Sequence, residues 1–349
     1  MGGILLTGGA GFIGGAFVED WLASESEPLV NLDKLTYAGC PATIELFAQN
    51  PRHRFVRGDV ADRPLVAAIL KEHRPRAVVH FAAETHVDRS IVGPAPFATT
   101  NVIGTAALLD ACRDHLETLS DDERRAFRFL HISTDEVFGE LGPTGKFTED
   151  SPYRPNSPYA ASKAAADHFV RAYGRTYGFP AIITHCSNNY GPRQHPEKLI
   201  PLMISQALAE RPLPVYGDGK NVRDWLFVRD HVAALKLVLA RGRIGESYAI
   251  GGDCEQENLA VVELICERLD RLRPSPLGAR RRLIRFTQDR PGHDRRYAID
   301  PAKIQRELGW RSATSFEDGL AATVRWHLEN PTWLQAALEH ARPAASKSK

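Results

Sequence analysis

The segment LLTGGAGFIGG, residues 5–15, decides the fold. It follows a short apolar run, opens a helical pattern, and places Gly9, Gly11 and Gly14 in a Gly-x-Gly-x-x-Gly spacing that Gly8 precedes. Glycine allows positive φ angles and a close backbone approach to a pyrophosphate, whose negative charge then faces the helix N-terminus. The segment therefore predicts a dinucleotide-binding loop at the first strand–helix turn.

Two carboxylates at later strand ends extend this prediction. Asp33 ends the next apolar run, LVNLD (29–33), where an acid accepts hydrogen bonds from the adenine ribose and repels a 2′-phosphate. NAD is therefore favoured over NADP, although Lys34 beside it leaves NADP open. Asp59 ends the third run and either meets the adenine or caps the following helix. The alternative for the whole pattern is a glycine-rich structural turn followed by a surface aspartate.

Short apolar runs alternate with helical patterns in the first half of the chain. This alternation is typical of βαβ units around a parallel sheet buried on both faces. We expect an α/β fold: a Rossmann-type doubly wound sheet with a smaller, interleaved C-terminal α/β substrate-binding domain. The first domain is expected at 1–189 with 224–252 returning to it, the second at 190–223 and 253–340, and a flexible tail at 341–349. The runs are GILLTG (3–8), LVNLD (29–33), RFVRGDV (54–60), AVVHFAA (77–83), FRFLHIST (127–134) and AIITHCSN (181–188).

The composition excludes several classes of partner. The 44 Lys and Arg residues against 43 Asp and Glu leave no charge excess for a nucleic acid or an anionic membrane. No stretch has the ~20 apolar residues of a membrane span, and the first residues do not have the pattern of a secretory signal. The 5 cysteines lack CxxC spacing, which favours a reducing cytoplasm and no metal site.

Tyr159 and Lys163 form a second motif, in SPYAASKAAADHFV (157–170). Their spacing places both side chains on one face of a helix that Ser157 and Pro158 are expected to start. A tyrosine is a poor base at neutral pH, but a neighbouring ammonium and an oxidised nicotinamide would stabilise its phenolate. The alternative, an ordinary surface helix, is disfavoured because the glycine loop and Asp33 precede this motif. Together these features resemble the extended short-chain dehydrogenase/reductase superfamily, whose tyrosine takes a proton from a sugar hydroxyl while hydride leaves the same carbon.

The stretch HISTDEVFGE, residues 131–140, narrows the resemblance. Asp135 and Glu136 stand side by side at a strand end, where like charges repel each other, so the strand must end near Thr134 for both to reach one crevice. They resemble the acid and base of nucleotide-sugar 4,6-dehydratases. Six longer segments in order resemble the dTDP-glucose 4,6-dehydratase family: NLDKLTYAG (31–39), HISTDEVFG (131–139), CSNNYGP (186–192), PEKLIP (196–201), RDWLFV (223–228) and DRPGHDRRYAID (289–300). The departures are small: Thr85 replaces the usual Ser, Phe138 the usual Tyr, and His185 a frequent Asn.

The resemblance implies the following chemistry. Tyr159 takes the O4 proton of the sugar as hydride passes to NAD, Thr134 binds O4, and Lys163 holds the nicotinamide ribose and tunes Tyr159. Glu136 then removes the C5 proton while Asp135 protonates the leaving C6 hydroxyl, and hydride returns to C6. The substrate is expected to be dTDP-glucose, although UDP- or CDP-glucose enzymes share this core.

The resemblance also implies two sets of contacts and an assembly. A homodimer through a four-helix bundle of 101–116 and 160–177 is expected by analogy. For Arg223, diphosphate binding is favoured over a structural ion pair, since a guanidinium binds two oxygens at once. The expected cofactor contacts are Gly8, Gly11, Phe12, Ile13, Gly14, Asp33, Lys34, Asp59, Val60, Thr100, Tyr159, Lys163 and Asn189. The expected substrate contacts are Thr85, Thr134, Asn188, Lys198, Leu199, Pro214, Tyr216, Arg223, Asn258, Arg290 and His293.

Two alternative functions use parts of the same pattern. A nucleotide-sugar 4-epimerase shares the Tyr159 and Lys163 chemistry but has no role for the adjacent acids. A non-catalytic NAD-binding regulator keeps the fold but would have no use for all four of Tyr159, Lys163, Asp135 and Glu136. The buried histidines His80 and His131 are interpreted as packed core groups rather than ligands.

Overall fold

The fold is built on a seven-stranded parallel sheet, which the computed structural model describes together with the rest of residues 2–341. The strand order is β10-β6-β5-β4-β1-β2-β3, and every neighbouring pair is parallel. The six runs predicted as strands all lie in this sheet, and a seventh strand, β10, joins it beside β6. The strands are β1 (Ile4–Thr7), β2 (Leu29–Asp33), β3 (His53–Arg57), β4 (Ala77–His80), β5 (Arg128–Thr134), β6 (Ala181–Cys186) and β10 (Ser247–Ile250).

Helices cover both faces of the sheet, as parallel crossovers require. One apolar core lies under α1, α10 and α12, and the other lies under α3, α6 and α8. The helices of this part are α1 (Phe12–Ser24), α2 (Pro41–Glu45), α3 (Arg63–His73), α4 (Val87–Val92), α5 (Ala95–Phe97), a π-helix (Ala98–Gly104), α6 (Thr105–Glu117), α7 (Asp121–Ala126), a 3-10 turn (Asp135–Phe138), α8 (Pro158–Tyr177) and α10 (Val228–Arg241).

A smaller part of the molecule has its own core around α9, α11 and α13. It holds a three-stranded sheet in the order β11-β9-β7 and a two-stranded sheet of β12 and β8. Its elements are β7 (Asn188–Tyr190), α9 (Leu199–Leu208), β8 (Leu213–Tyr216), β9 (Val222–Phe227), β11 (Glu255–Glu257), α11 (Asn258–Leu272), a 3-10 turn (Arg280–Leu283), β12 (Ile284–Thr287), α13 (Phe316–Glu329) and α14 (Pro331–Ala341). Helix α12 (Ala302–Leu308), between β12 and α13 in the chain, packs on the large sheet.

The two parts are interleaved along the chain. Strand β9 pairs with β7 and β11 in the small sheet, and α10 then packs against α1 on the large sheet. Strand β9 finds its hydrogen-bond partners in the small sheet, while Leu226 near its end already packs in the core of the large sheet. The domain boundaries stay a proposal, and the expected tail beyond residue 341 lies outside the described residues.

Candidate active site

A cleft with a cavity volume of about 290 Å³ lies at the carboxyl ends of the central strands. The strand order reverses there, because β1 is flanked by β2 on one side and by β4 on the other. Ligands of open parallel sheets bind at such a switch point. The residues predicted for the site that line this cleft are Gly8, Gly11, Phe12, Ile13, Gly14, Asp33, Lys34, Asp59, Val60, Thr85, Thr100, Thr134, Asp135, Glu136, Tyr159, Lys163, Asn188, Asn189 and Lys198.

The glycine loop has room for backbone only. Gly8 has a φ of +81°, and a Cβ there would lie 2.6 Å from the backbone nitrogen of Ala82. A Cβ on Gly14 would lie 2.2 Å from the carbonyl oxygen of Gly8. Both distances are shorter than van der Waals contact, so the loop packs against the start of α1 as a pyrophosphate-binding loop requires.

Asp33 is held at the end of β2 by two backbone donors. The amide nitrogens of Ala10 and Leu35 lie 2.9 and 2.7 Å from its carboxylate oxygens. Burial raises the pKa of Asp33, and these two hydrogen bonds oppose the rise. The ammonium of Lys34 lies 2.5 Å from the carboxylate of Asp59. Lys34 is therefore already paired with an acid, which weakens the argument that it would attract a 2′-phosphate.

Tyr159 and Lys163 lie on one face of α8, as their spacing predicts. The hydroxyl of Ser157 caps the helix by accepting a hydrogen bond of 3.1 Å from the Ala160 amide, and Pro158 occupies the first turn. Nζ of Lys163 donates a hydrogen bond of 2.9 Å to the carbonyl oxygen of Ile132 in β5. The motif is thus fixed against the strand that carries the acid pair.

The net effect of the protein's own groups is to raise the pKa of Tyr159. Burial raises the pKa of Tyr159 well above its usual value, and the charge of Glu136 adds to the rise. The hydroxyl of Thr134 acts in the opposite direction. Burial also lowers the pKa of Lys163. The reason is that the apolar surroundings disfavour both charged forms.

The acid pair begins where β5 ends, at Thr134, as predicted. Asp135 and Glu136 open a 3-10 turn, and the Thr134 hydroxyl accepts a hydrogen bond of 3.3 Å from the Glu136 amide. The turn directs both carboxylates to the cleft, which a continuing strand would not do. The Asp135 side chain is buried, and its Oδ2 has no hydrogen-bond partner among the described residues.

The surroundings of the two acids differ. Burial raises the pKa of Asp135 well above its usual value, and the nearby Glu136 adds to the rise. Burial also raises the pKa of Glu136, but the positive charges of Arg290, Lys198 and Arg223 oppose that rise. Asp135 is therefore the better proton donor and Glu136 the better proton acceptor.

Several predicted substrate residues come from the smaller part of the molecule and do not line the cleft itself. The rings of Tyr216 and His293 lie 6.0 Å apart, and Nδ1 of His293 lies 2.5 Å from the carboxylate of Asp289. Nη1 of Arg290 lies 3.5 Å from the carboxylate of Asp88. The complete set outside the lining is Leu199, Pro214, Tyr216, Arg223, Asn258, Arg290 and His293.

Arg223 uses its donors within the protein. Its guanidinium donates to the carbonyl oxygens of Val222 and Asp294 at 2.8 and 2.9 Å, and it stacks 4.4 Å from the ring centre of Tyr297. The residue is buried, with 5% of its surface exposed. The ion pair weighed from the sequence is not found among the described residues: the hydrogen bonds of the guanidinium go to backbone carbonyls. A role in diphosphate binding stays a prediction.

Sequence reasoning missed a polar group at the rim of the cleft. Glu84, His195 and Glu197 line it. Glu197 accepts a hydrogen bond of 3.3 Å from the Tyr37 hydroxyl and lies 3.4 Å from Nε2 of His86. Glu84 follows β4, a strand that ends at the cleft, and this position in the sequence could have predicted that Glu84 lies in the site. The other contacts join segments far apart in the chain, which no local pattern indicates.

An extended short-chain dehydrogenase/reductase acting on nucleotide sugars is the class that this fold and cleft define. The family described as GDP-mannose 4,6 dehydratase matches residues 5–323. The dTDP-glucose 4,6-dehydratase of Xanthomonas campestris pv. campestris (strain B100) is 59% identical over 336 residues, which is 96% of this chain and 95% of that protein. The chain belongs to the dTDP-glucose 4,6-dehydratase family, within the broader group that the GDP-mannose 4,6 dehydratase description covers.

Solved structures agree with this membership. A dTDP-glucose 4,6-dehydratase from Streptomyces venezuelae, solved with NAD bound, has a TM-score of 0.88 and 48% identity, covering 96% of this chain and 99% of that chain. A UDP-glucose 4-epimerase from Thermus thermophilus, also solved with NAD, has a TM-score of 0.80 and 30% identity, covering 93% of this chain and 98% of that chain. The resemblance predicted from the sequence and the Rossmann-type fold are confirmed.

Proposed function

We propose that this chain is a dTDP-glucose 4,6-dehydratase, which converts dTDP-glucose to dTDP-4-keto-6-deoxyglucose and water with NAD as its cofactor. The observation that carries the proposal is the position of Asp135 and Glu136. Both acids line the same cleft as Tyr159 and Lys163, and they differ in their charged neighbours. An epimerase needs the tyrosine and the lysine but has no use for an adjacent acid and base.

The cleft fits NAD. The glycine loop has no space for side chains where a pyrophosphate must approach, and Asp33 stands at the strand end where the adenine ribose is bound. We assign the dinucleotide to Gly8, Gly11, Phe12, Ile13, Gly14, Asp33, Lys34, Asp59, Val60, Thr100, Tyr159, Lys163 and Asn189. When bound, oxidised NAD supplies the transient oxidation at carbon 4 and the later reduction at carbon 6, and its positive charge stabilises a nearby phenolate.

Tyr159 acts on the hydroxyl at carbon 4. It takes the O4 proton, while Thr134 at the end of β5 donates a hydrogen bond to O4 and orients the sugar. Lys163 holds the cofactor ribose and contributes positive charge. Because burial raises the pKa of Tyr159, the proton transfer is favourable only when cations are assembled beside the phenol.

Asp135 and Glu136 carry out the elimination. A carbonyl at carbon 4 makes the neighbouring C5 proton acidic, and Glu136 removes it. Asp135 donates its proton to the C6 hydroxyl, which leaves as water. The raised pKa of Asp135 favours the protonated form that this role needs. Its Oδ2, which has no hydrogen-bond partner in residues 2–341, is available to a substrate hydroxyl.

The substrate contacts are assigned to both parts of the molecule. Thr85, Asn188 and Lys198 lie in the cleft, and the charges of Arg290 and Arg223 act on Glu136. We assign the remaining contacts at the smaller part to Leu199, Pro214, Tyr216, Asn258 and His293. The arginines suit the diphosphate, because a guanidinium binds two oxygens at once.

The test is incubation with dTDP-glucose followed by the alkaline absorbance of a 4-keto sugar. The proposal expects this absorbance and release of one dTDP-4-keto-6-deoxyglucose per dTDP-glucose. Parallel reactions with UDP- and CDP-glucose rank the nucleotides, and we expect dTDP-glucose to react fastest. Conversion to dTDP-galactose would instead identify an epimerase, and no reaction with any sugar nucleotide would support a non-catalytic NAD-binding protein.

We further propose a homodimer that forms through helices of the 98–117 region and α8. Ile103, Phe169 and Tyr177 on these segments are exposed, and they provide apolar surface for a second copy. Sedimentation velocity is expected to show a dimer, and Phe169→Glu is expected to shift it to monomer. A wild-type monomer at micromolar concentration would contradict the assembly.

We also propose a cytoplasmic location. All five cysteines are free, and four of them are buried. In residues 2–341, no helix combines the length and apolar character needed to cross a membrane. Cell fractionation tests the location. In the same described range, no group of three or more His, Cys, Asp or Glu side chains is arranged to hold a metal ion, and the absence of a metal and of a nucleic-acid partner stays a prediction.

A further inference from the structure

Asp167 is a fully buried carboxylate that the proposed reaction does not use. Four polar side chains converge on it. The hydroxyls of Ser133 and Tyr153 donate to its Oδ2 at 2.8 and 3.1 Å, and Nε2 of His185 lies 3.1 Å from the same oxygen. Nε2 of His131 lies 3.1 Å from Oδ1. So many polar groups around one buried acid indicate a fixed position.

The partners of Asp167 place it behind the catalytic groups. His131 and Ser133 lie on one face of β5, on either side of Ile132, whose carbonyl oxygen accepts the hydrogen bond from Lys163. Lys163 and Asp167 are one turn apart on α8. Lys163 and Asp167 therefore contact three consecutive residues of β5, from His131 to Ser133, which come immediately before Thr134 and the acid pair. This contact fixes the helix that carries the tyrosine relative to the strand that carries the acids.

Asp167 also balances a buried positive charge. Burial lowers the pKa of Lys163, and the negative charge of Asp167 opposes this change. The other titratable groups near the ammonium are His80 on β4 and His131 on β5. Burial and the charge of Lys163 lower the pKa of both histidines. The pKa of His131 is about 4. Neutral histidines add no positive charge. The carboxylate of Asp167, one turn from Lys163 on α8, is therefore the nearby charge that favours its ammonium form, although the ammonium hydrogen-bonds to Ile132 and not to Asp167 itself.

Asp167 itself stays ionised. Burial acts to raise the pKa of Asp167, but the close ring of His131 and the hydrogen bond with His185 outweigh it and hold the pKa well below the usual value. His185 is thus used as a donor to this acid. The sequence has histidine there in place of the asparagine frequent in the family, and either side chain can donate a hydrogen bond.

We propose that Asp167 is a positioning residue of the dehydratase, which fixes α8 against the end of β5 and supplies the negative charge that keeps the Lys163 ammonium protonated. It acts through Ser133, His131 and Lys163, since it does not line the cleft. The inference rests on the proposed function.

The test is Asp167→Asn, which keeps the shape and removes the charge. We expect kcat to fall about 10²-fold with little change in KM, because small displacements of catalytic groups have effects of that size. Removing the anion lowers the pKa of Lys163, so the lysine loses its proton at lower pH. The alkaline limb of the kcat profile should therefore move to lower pH, by about one unit for a tenfold change in proton affinity.

Asp230→Asn is the matched control. Asp230 is also a buried carboxylate with several partners, accepting from Ser312, Ala313 and Thr314 at 3.0, 3.2 and 2.8 Å, but it lies outside the cleft. It should lower the melting temperature and leave the pH profile unchanged. NAD content, measured after denaturation, is expected to stay near wild type in both variants.

Two results would overturn the inference. One is an Asp167→Asn enzyme with a wild-type kcat and profile. The other is a loss of kcat that is equal at every pH and matched by the loss of stability. If Asp167→Asn does not fold, Ser133→Ala removes one contact of the acid, and an unchanged kcat in that variant overturns the proposal. A wild-type enzyme that forms no 4-keto sugar is a different result, which contradicts the proposed function itself.

Discussion

The carboxyl group of Asp135 lies 3.3 Å from the hydroxyl oxygen of Thr134, while its other oxygen, Oδ2, is buried without a hydrogen-bond partner among the described residues. A buried polar atom with no partner is costly, and such atoms are uncommon. A substrate hydroxyl at this oxygen would remove that cost. Thr134 is expected to orient O4 of the sugar and Asp135 to protonate O6, so this contact joins the two residues that act on the two hydroxyls.

The two acids are expected to fail in different ways. In Glu136→Gln, no base removes the C5 proton, so dTDP-glucose turned over in deuterated water should gain no deuterium at carbon 5. In Asp135→Asn, the base remains, so exchange at carbon 5 should continue while water loss is slowed. Each change should lower dehydration by ~10²–10⁴-fold, and NMR of the recovered sugar measures both outcomes.

The double variant Asp135→Asn with Glu136→Gln is the strictest form of this test. It is isosteric with the wild type and should retain NAD. Dehydration at the wild-type rate in this variant would show that neither acid takes part. Glu149→Gln, a change in an acid outside the cleft, serves as the control.

The dependence of kcat on pH should be bell-shaped. Asp135 and Lys163 must both be protonated, so activity is lost as the pH rises through the lower of their two pKa values, which burial raises in Asp135 and lowers in Lys163. Glu136 must be ionised, so activity is lost as the pH falls through its pKa. Burial raises this pKa, and the positive charge of Arg290 opposes the rise. Rates at saturating dTDP-glucose measure both limbs.

Arg290→Gln should move the acidic limb of that profile to higher pH. The positive charge of Arg290 opposes the rise in the pKa of Glu136, so removing the guanidinium should raise that pKa further. Arg281→Gln is the control, because Arg281 is exposed and paired with Glu263 at 2.6 Å. An acidic limb that stays in place in Arg290→Gln would mean that Arg290 is too distant to act on the base.

Asp33 is expected to select NAD. Asp33→Asn removes the negative charge that repels a 2′-phosphate, so the preference for NAD over NADP should fall, while the one amide oxygen can still accept from either Ala10 or Leu35, which donate to different carboxylate oxygens in the wild type. Isothermal titration of apoenzyme with each dinucleotide measures the ratio. An unchanged ratio would assign the selectivity to other groups, and Lys34→Ala, which breaks the pair with Asp59, would then be tested.

The helix α14 is expected to help retain the cofactor. His340 lies 2.9 Å from the carbonyl oxygen of Thr36, and Trp333 packs with Cys40. Thr36 lines the cleft, so α14 supports the loop that follows Asp33. Trp333→Ala should lower the NAD content of purified enzyme, measured after gel filtration. Gln335→Ala, on the exposed side of the same helix, should leave the NAD content unchanged. Equal NAD content in the two variants would contradict a role of α14 in retaining the cofactor.

The amino-acid sequence by itself determined the large sheet, and it predicted the glycine loop and the Tyr159–Lys163 pair that the structure brings to one cleft. Runs such as LVNLD and AIITHCSN are buried on both faces, so their apolar character is continuous and local. The glycine loop and the Tyr159–Lys163 spacing are also local, because each lies within one turn or one helix. The end of β5 at Thr134 followed from the need to bring two adjacent acids to one side.

Only the tertiary structure decided which long-range partners these residues have. Strand β9 looked like the start of the return to the large sheet, yet it pairs with β7 and β11, since pairing depends on which edges lie side by side. Arg223 donates a hydrogen bond to the backbone carbonyl of Asp294. Asp167 has hydrogen-bond partners on β5, on β6 and in the loop that contains Tyr153. Burial also raised the pKa of Tyr159, since desolvation depends on everything packed around a group and not on its neighbours in sequence.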